Sequence, residues 1–446
     1  MKRTRYTRAA AALTIFATLA LGGCSSDSPT PPDTSGTTAP TTTDVTEVAA
    51  ARGRIALSYD GGILILDAAT LETVADIALE GFNRLNPAGD ERHLLVSTTG
   101  GFQVLDLGAY GTPHGDHFHY YVTTPTLSDV KYAATTPSHV VAHDDQTVLF
   151  DDATATAIVI ESDEIADPHA DKRVYTAPSP HHGVAVALPD GTLLITQGTT
   201  ESRTGVAAID QVGAVIASSD ACPGVHGEAI AAAEAVVFGC QDGVLVWHDG
   251  EFTKIASPSA YGQVSTQSGT EASPVVLGNY SDNDPQAGAT EPTRVSLSNT
   301  ATGTMTLVEL PDGAQYSSRS FARGEDGGAL VLGTDGRLHV IDVNTASVTA
   351  SYEIMPAWTA PEQWQQPRPA IFMLDGMAYI TDPATKTLYV VYPATGQIWK
   401  TISLTITPNE ISGVSGNGGG GHDHGHDEGD DHDHDHDHDH EHGEEG

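Results

Sequence analysis

Basic residues are what this 446-residue chain has least of: 20 Lys and Arg stand against 59 Asp and Glu, a formal charge of −39. Phosphate recognition needs clustered Lys and Arg, so nucleic acid is excluded as a partner, and a metal cation suits the field better. The deficit is not confined to one end. The segment from Val414 onward holds twelve carboxylates and no Lys or Arg, yet the remainder still carries 47 acidic against 20 basic residues. Aromatics make up only 6% of the chain and helical periodicity is scarce, which argues against helical packing. No apolar run of twenty residues follows the N-terminus, so nothing beyond it reads as a membrane span. Cysteine is limited to three residues, Cys24, Cys222 and Cys240.

Glycine is abundant, at 46 residues with 25 prolines, which favours many short strands joined by tight turns. The first 23 residues read as a secretory leader: Lys2, Arg3, Arg5 and Arg8, an apolar run from Ala9 to Leu21, then Gly22-Gly23-Cys24. Leu21-Gly22-Gly23-Cys24 resembles the lipobox of bacterial lipoproteins, which implies cleavage before Cys24 and a lipid on its sulfur. Residues 24–47 are rich in Ser, Thr and Pro and read as a flexible tether. The chain is therefore expected in the bacterial cell envelope, lipid-anchored on the outer side of the cytoplasmic membrane or in the periplasm, and monomeric.

Residues 48–411 carry a loose repeat. Gly62-Ile63-Leu64-Ile65-Leu66-Asp67 is echoed at Gly101–Asp106, Thr147–Asp151, Gly205–Asp210, Gly243–Trp247, Gly336–Asp342 and Thr387–Tyr392. Neighbouring units lie roughly 40 to 60 residues apart, about the length of a four-stranded propeller blade. The gap from Gly243 to Gly336 is about twice that, so one further unit is expected there. An all-β fold follows, a single β-propeller of seven or eight blades; a pair of β-sandwiches would not need the repeat. In an exported chain Cys222 and Cys240 suit a disulfide, with a zinc–thiolate pair as the alternative.

Histidine carries the chemistry. His114, Asp116, His117 and His119 fall within six residues, just before the strand-like run Tyr120–Thr124. Side chains two apart on an extended chain share a face, so His117 and His119 should project together with Phe118 turned away. His139-Val140-Val141-Ala142-His143, Pro180-His181-His182-Gly183 and Val225-His226-Gly227-Glu228 each lie beside an apolar strand. Inner strands of different blades run alongside one channel, so histidines near their starts can converge on a shared metal. The candidate ligands are His114, Asp116, His117, His119, His143, His169, His181, His182, His226 and Glu228, with Asp144 as a further carboxylate. His93, His248 and His339 read as packed or surface residues.

Residues 412–446 form a glycine linker followed by His422, His424, His426, His432, His434, His436, His438, His440 and His442 alternating largely with Asp and Glu. Such a segment cannot bury a core and reads as a disordered string of weak, overlapping metal sites. Zinc suits imidazole with carboxylate, although copper and nickel also favour imidazole.

Four stretches together resemble the AztD-type zinc metallochaperones, exported β-propellers that serve zinc ABC importers. They are Gly115-Asp116-His117-Phe118-His119-Tyr120-Tyr121, Pro180-His181-His182-Gly183-Val184-Ala185-Val186, Cys222-Pro223-Gly224-Val225-His226-Gly227-Glu228 and the run from Val237 to Val246. The resemblance implies a non-enzyme that binds Zn2+ and hands it to the solute-binding protein of the importer. A lipobox and a C-terminal His/Asp segment depart from the soluble periplasmic form expected of that family. The competing expectations are a metal-dependent propeller hydrolase or lactonase, although no Gly-x-Ser-x-Gly elbow is present, and an interaction module whose only metal site is the tail.

Overall fold

The computed structural model describes residues 45–282, 292–324 and 326–418. The leader, Cys24, nearly all of the tether and the tail histidines 422–442 lie outside the described residues. No helix among the described residues is long and apolar enough to cross a membrane.

Runs such as Ile63-Leu64-Ile65-Leu66 are buried on both faces, because each sheet is covered by a neighbour on either side. Strands with polar residues at alternate positions, such as Thr73–Leu79 and Thr304–Glu309, take the outer edge, where one face meets water. Among the described residues the result is eight four-stranded antiparallel blades. Their innermost strands, blade 1 to blade 8, are Ile411–Val414, Arg84–Pro87, Pro137–His143, Ala185–Ala187, His226–Ala231, Gln267–Ser268, Phe321–Arg323 and Ala370–Leu374.

Eight apolar clusters hold the ring, one in each interface between neighbouring blades. Blades 5 and 6 are further joined into one sheet by Gly262–Gln263, which bridges Gly243 and Ser281. The seventh of the sequence repeats is followed by closure: Ile411–Val414 pairs with Arg54–Leu57, so the two ends of the body share blade 1. The domain boundary expected at residue 411 falls on the first residue of this closing strand. Just before it, the buried Glu410 carboxylate accepts from Arg319 at 3.0 Å and from the Leu85 amide at 3.0 Å, tying the seam to blades 7 and 2.

The unit expected between Gly243 and Gly336 is blade 6. Its third strand, Arg294–Asn299, alternates Val295 and Leu297 with serines and ends in Asn, which hides the repeat. Elsewhere the recurring Asp has a local task. Asp67, Asp151, Asp342, Asp382 and Asn299 accept from backbone amides two or three residues on, and a residue four positions later turns at positive φ. That fifth residue is Gly303 in blade 6 but Leu71, Ala155, Ala346 and Lys386 in the others, with φ between 51 and 67° across the five.

A side chain in this region costs roughly 1–2 kcal/mol, offset partly by the greater freedom of unfolded glycine. Lys386 is exposed. Lys386→Gly should therefore raise stability by about 0.5 kcal/mol, and Gly303→Ala should lower it by a similar amount, in urea unfolding.

Burial alone would raise Asp67 and Asp151. The amides and hydroxyls they accept from, and Arg54 at 2.7 Å from Asp67, overcome it and hold both carboxyls below their ordinary value. A folded pKa below the unfolded one stabilises the fold above the unfolded value of about 3.9 and loses that contribution as pH falls through the folded value. Thermal unfolding of Asp67→Asn should thus vary less with pH below about pH 4 than that of the parent.

Candidate metal centres

The histidines gather in two places. Between the third and fourth strands of blade 2 the chain inserts a hairpin, Ala109–His114 and His117–Val122, with Thr46–Val48 added along its second strand. The two-residue turn Gly115-Asp116 sets His114 opposite His117, and Gly115 takes a φ of +64°. Period two then places His119 on the same face as His117, while Phe118 and Tyr120 stack on the other. His117 Nε2 lies 3.2 Å from His119 Nε2 and 3.5 Å from His114 Nδ1. The outward nitrogens are held by carboxylates: Asp116 is 3.2 Å from His117 Nδ1 and Glu47 is 2.6 Å from His119 Nδ1.

The second group forms where inner strands begin. His139 comes from the first strand of blade 3, His182 from the loop entering blade 4, and His226 from the first residue of blade 5. His182 Nε2 is 3.1 Å from His226 Nε2, and the His139 ring lies 5.4 and 5.9 Å from the other two ring centres. Each outer nitrogen again faces an oxygen: Asp152 at 2.6 Å from His182 Nδ1, the Ser265 carbonyl at 2.6 Å from His226 Nδ1, and Glu228 at 3.5 Å from His139 Nδ1. Burial pushes the His226 imidazole down to about 4, against the pull of the Ser265 carbonyl, so its Nε2 is an unprotonated donor at neutral pH.

Local sequence explains the placement. Gly227 forms a bulge at a φ of +68°, and a Cβ there would meet Gln267 Oε1 at 2.6 Å and the Ser265 carbonyl at 2.9 Å. The Cys222–Cys240 disulfide, with Cα atoms 5.0 Å apart, ties the loop entering His226 to the end of the next strand. The triad opens into a channel cavity of about 770 Å³ that Arg84, Arg319 and Trp364 also line.

Both groups fit a divalent cation that takes imidazole. Zn–N bonds of about 2.0–2.1 Å in a tetrahedron put donor atoms roughly 3.3 Å apart, close to the spacings above. In each group the three donor atoms lie within 4.8 Å of one another. The channel adds a buried oxygen without a hydrogen-bond partner, Gln267 Oε1, and Gln267 lines the same cavity as Glu228. Three nitrogens leave a coordination position open to solvent or to an incoming group.

Of the residues singled out from sequence, His114, His117 and His119 come together on the hairpin, and His182 and His226 meet in the channel. Asp116 and Glu228 stand beside these groups. The others go elsewhere. His143, at the far end of the strand that carries His139, is buried between Glu234 and Glu271. His181 is buried against the Ser179 and Thr196 carbonyls. His169 is exposed in a turn and Asp144 turns a hairpin at a φ of 46°. His139 took no place among the candidate ligands, although it precedes an apolar run as His182 and His226 do. Choosing between His139 and His143 required knowing which end of the strand faces the other two. Asp152 and Glu47 carry no sequence signal, since each acts through a neighbour distant in the chain.

No family model matches the sequence. The zinc chaperone AztD of Citrobacter koseri is 23% identical over 315 residues, covering 68% of this chain and 72% of that protein. This chain is similar to AztD. The crystal structure of Citrobacter koseri AztD superposes with a TM-score of 0.71 at 21% identity, covering 83% of this chain and 99% of AztD. Its apo form gives 0.70 at 20% identity, over 82% and 98% of the two chains. A remoter likeness in fold is the dihydro-heme d1 dehydrogenase NirN, with a TM-score of 0.50 at 10% identity over 81% and 75%. The likeness to the AztD crystal structures is one of fold, over more than four fifths of this chain.

Asp152 orients His182 without being one of the three imidazoles. Removing such a partner typically costs 10- to 100-fold in metal affinity. Asp152→Asn should weaken metal binding at the channel group by about that factor in a chelator competition, with the far-UV spectrum unchanged.

Proposed function

We propose that this protein is an exported zinc carrier, tethered through a lipid on Cys24, that captures zinc and hands it to the solute-binding protein of a zinc ABC importer. The observation that carries the reading is the convergence of His139, His182 and His226 from three blades at the mouth of one channel, on a chain similar to a zinc chaperone. Zinc is cargo here. Three imidazoles hold it, the open position admits a ligand of the receiving protein, and the imidazoles leave one at a time so that no bare ion is released. The carboxylates behind His139 and His182 and the Ser265 carbonyl behind His226 fix each ring's direction and raise its basicity.

A metal-dependent hydrolase is the second reading, favoured by one feature: three nitrogens with an open position beside the Glu228 carboxylate is also the donor set of a catalytic zinc site. Turnover on an ester and lactone panel that disappears in Glu228→Gln would favour it.

The test is a competition titration with zinc on the chain cut after Gly418. Tight binding should survive the cut and fall at least about 100-fold in His182→Ala with His226→Ala, each ligand lost costing more than the loss of its outer partner. Loss of all tight binding on the cut alone would leave the body without a site. In a second step, zinc-loaded protein is mixed with the solute-binding protein. Transfer should be faster than release to a chelator and should rise with acceptor concentration. Transfer at the release rate would remove direct handover. Membrane partitioning that persists in Cys24→Ala would remove the tether.

A further inference from the structure

Basic residues are scarce in this chain, 20 against 59 carboxylates, yet Arg84 and Arg319 line the same cavity as the histidine triad. A third, Arg368, is near enough to be felt. Burial lowers the Arg319 guanidinium, and the charges of Arg368 and Arg84 lower it further against the pull of Glu410. Arg319 is fully engaged, donating to Asn409 Oδ1 at 2.5 Å, to the Asn409 carbonyl at 2.8 Å and to Glu410 Oε1 at 3.0 Å. Arg368 donates to the Gln363 and Gln366 carbonyls. Arg84 is left over. Its Nε is buried without a hydrogen-bond partner, 3.5 Å from the Glu410 oxygen that already accepts from Arg319. Among the described residues, two guanidinium groups therefore share one carboxylate, and a positive charge in the channel is left unmatched.

Apolar surface adjoins that charge. The Arg84 guanidinium carbon lies 6.0 Å from the centre of the Trp364 ring, and this indole, 54% exposed, meets Phe82 edge-on at 5.2 Å. Phe321, Ile371 and Ile411 line the same cavity. A guanidinium fork matches a carboxylate with two parallel N–H bonds, and an exposed indole covers hydrocarbon. An inorganic anion would use the fork and leave the apolar surface wet. The cavity volume of about 770 Å³ falls among small-molecule sites, which run from about 300 to 1,000 Å³. At the triad, the open coordination position takes a carboxylate oxygen as well as a nitrogen.

We propose that the channel cavity binds a small organic di- or tricarboxylate. One carboxylate sits on Arg84, the carbon body lies against Trp364, and a second carboxylate fills the open position of the triad when that triad holds zinc. The last contact rests on the reading of His139, His182 and His226 as a zinc site; the Arg84 and Trp364 contacts do not. The anion joins two parts of the cavity that the protein leaves separate, a metal group and an unmatched cation. By linkage, zinc and the anion then strengthen each other's binding by the same factor.

The experiment titrates tricarballylate into the metal-free full chain by calorimetry, in a buffer without carboxylates. Affinity should fall about 10- to 100-fold in Arg84→Gln, the usual effect of losing hydrogen bonds to a charged group. Arg84→Lys, which keeps the charge without the fork, should lie between, and Trp364→Leu should weaken binding with the urea midpoint unchanged. Binding to the parent no tighter than to Arg84→Gln overturns the site. Inorganic phosphate bound as tightly as tricarballylate overturns the organic body. A short glutamate-rich peptide should bind more weakly; peptide binding as tight, with the same dependence on Arg84, would assign the site to an acidic protein segment and overturn the small-molecule ligand. Zinc should tighten tricarballylate binding in the parent and not in His182→Ala with His226→Ala. If chelator competition places zinc at the triad and the anion's affinity does not change, the bridge to the metal is overturned. If it places no zinc there, the zinc reading of the triad fails, and binding of the anion to the metal-free protein through Arg84 still establishes the anion site.

Discussion

Four paired residues, Arg54 to Leu57 against Val414 to Ile411, hold the ring shut, and the geometry of the channel group depends on that seam. An open chain of blades would leave His139, His182 and His226 on separate sheets with no fixed separation. Closure converts eight side-by-side packings into a single radius, and the radius sets how near the inner strands come. The Glu410 carboxylate reinforces the seam from within the channel by holding Arg319 and the Leu85 amide together. Backbone pairing and this buried ion pair act on the same joint, so the channel's histidine wall and its arginine wall are held by one closure.

Donor groups recur on this scaffold in one chemical form. Both clusters have imidazoles turned inward at 3.1–3.5 Å, with carboxylates or a carbonyl fixing most of the outer nitrogens. They differ in surroundings. The channel group draws its members from three blades and is partly buried, with His226 kept neutral by desolvation. The hairpin group is built by one turn and one alternation, and its His117 is more than half exposed. A site made from three blades is preorganised by the whole ring, whereas a site on one hairpin depends on its own turn and on Thr46–Val48 alongside.

Much of the fold could be read from the chain because the signal is local. Apolar runs ending in Asp mark the same hairpin in blade after blade, and the side-chain acceptor at that position shows why Asp or Asn is used. Blade 6 is masked in the sequence because serine replaces apolar residues on one face of its third strand, which is a packing property rather than a turn property. The hairpin triad was legible for the same reason as the turns: a period of two places His117 and His119 together without any help from the fold. The channel triad was only half legible. His182 and His226 carry recognisable neighbours, but the third partner was decided by which end of Pro137–His143 faces the channel mouth. That is a property of the ring. Asp152 and Glu47 were invisible, because nothing in a sequence shows which carboxylate stands behind an imidazole.

The bridge at Gly262–Gln263 has a mechanical meaning. Sheets that share backbone hydrogen bonds are tied more firmly than sheets that meet mainly through side chains. Among the described residues blades 5 and 6 share a stretch of sheet, whereas blades 7 and 8 are tied by the Ile371 amide donating to the Arg319 carbonyl and blades 1 and 2 by the Gly416 amide donating to the Glu91 carbonyl. His226 rides on the double-width plate, while His139 and His182 each ride on a separate blade. The three imidazoles are therefore held unequally, His226 by a sheet of nine strands and the other two by blades of four.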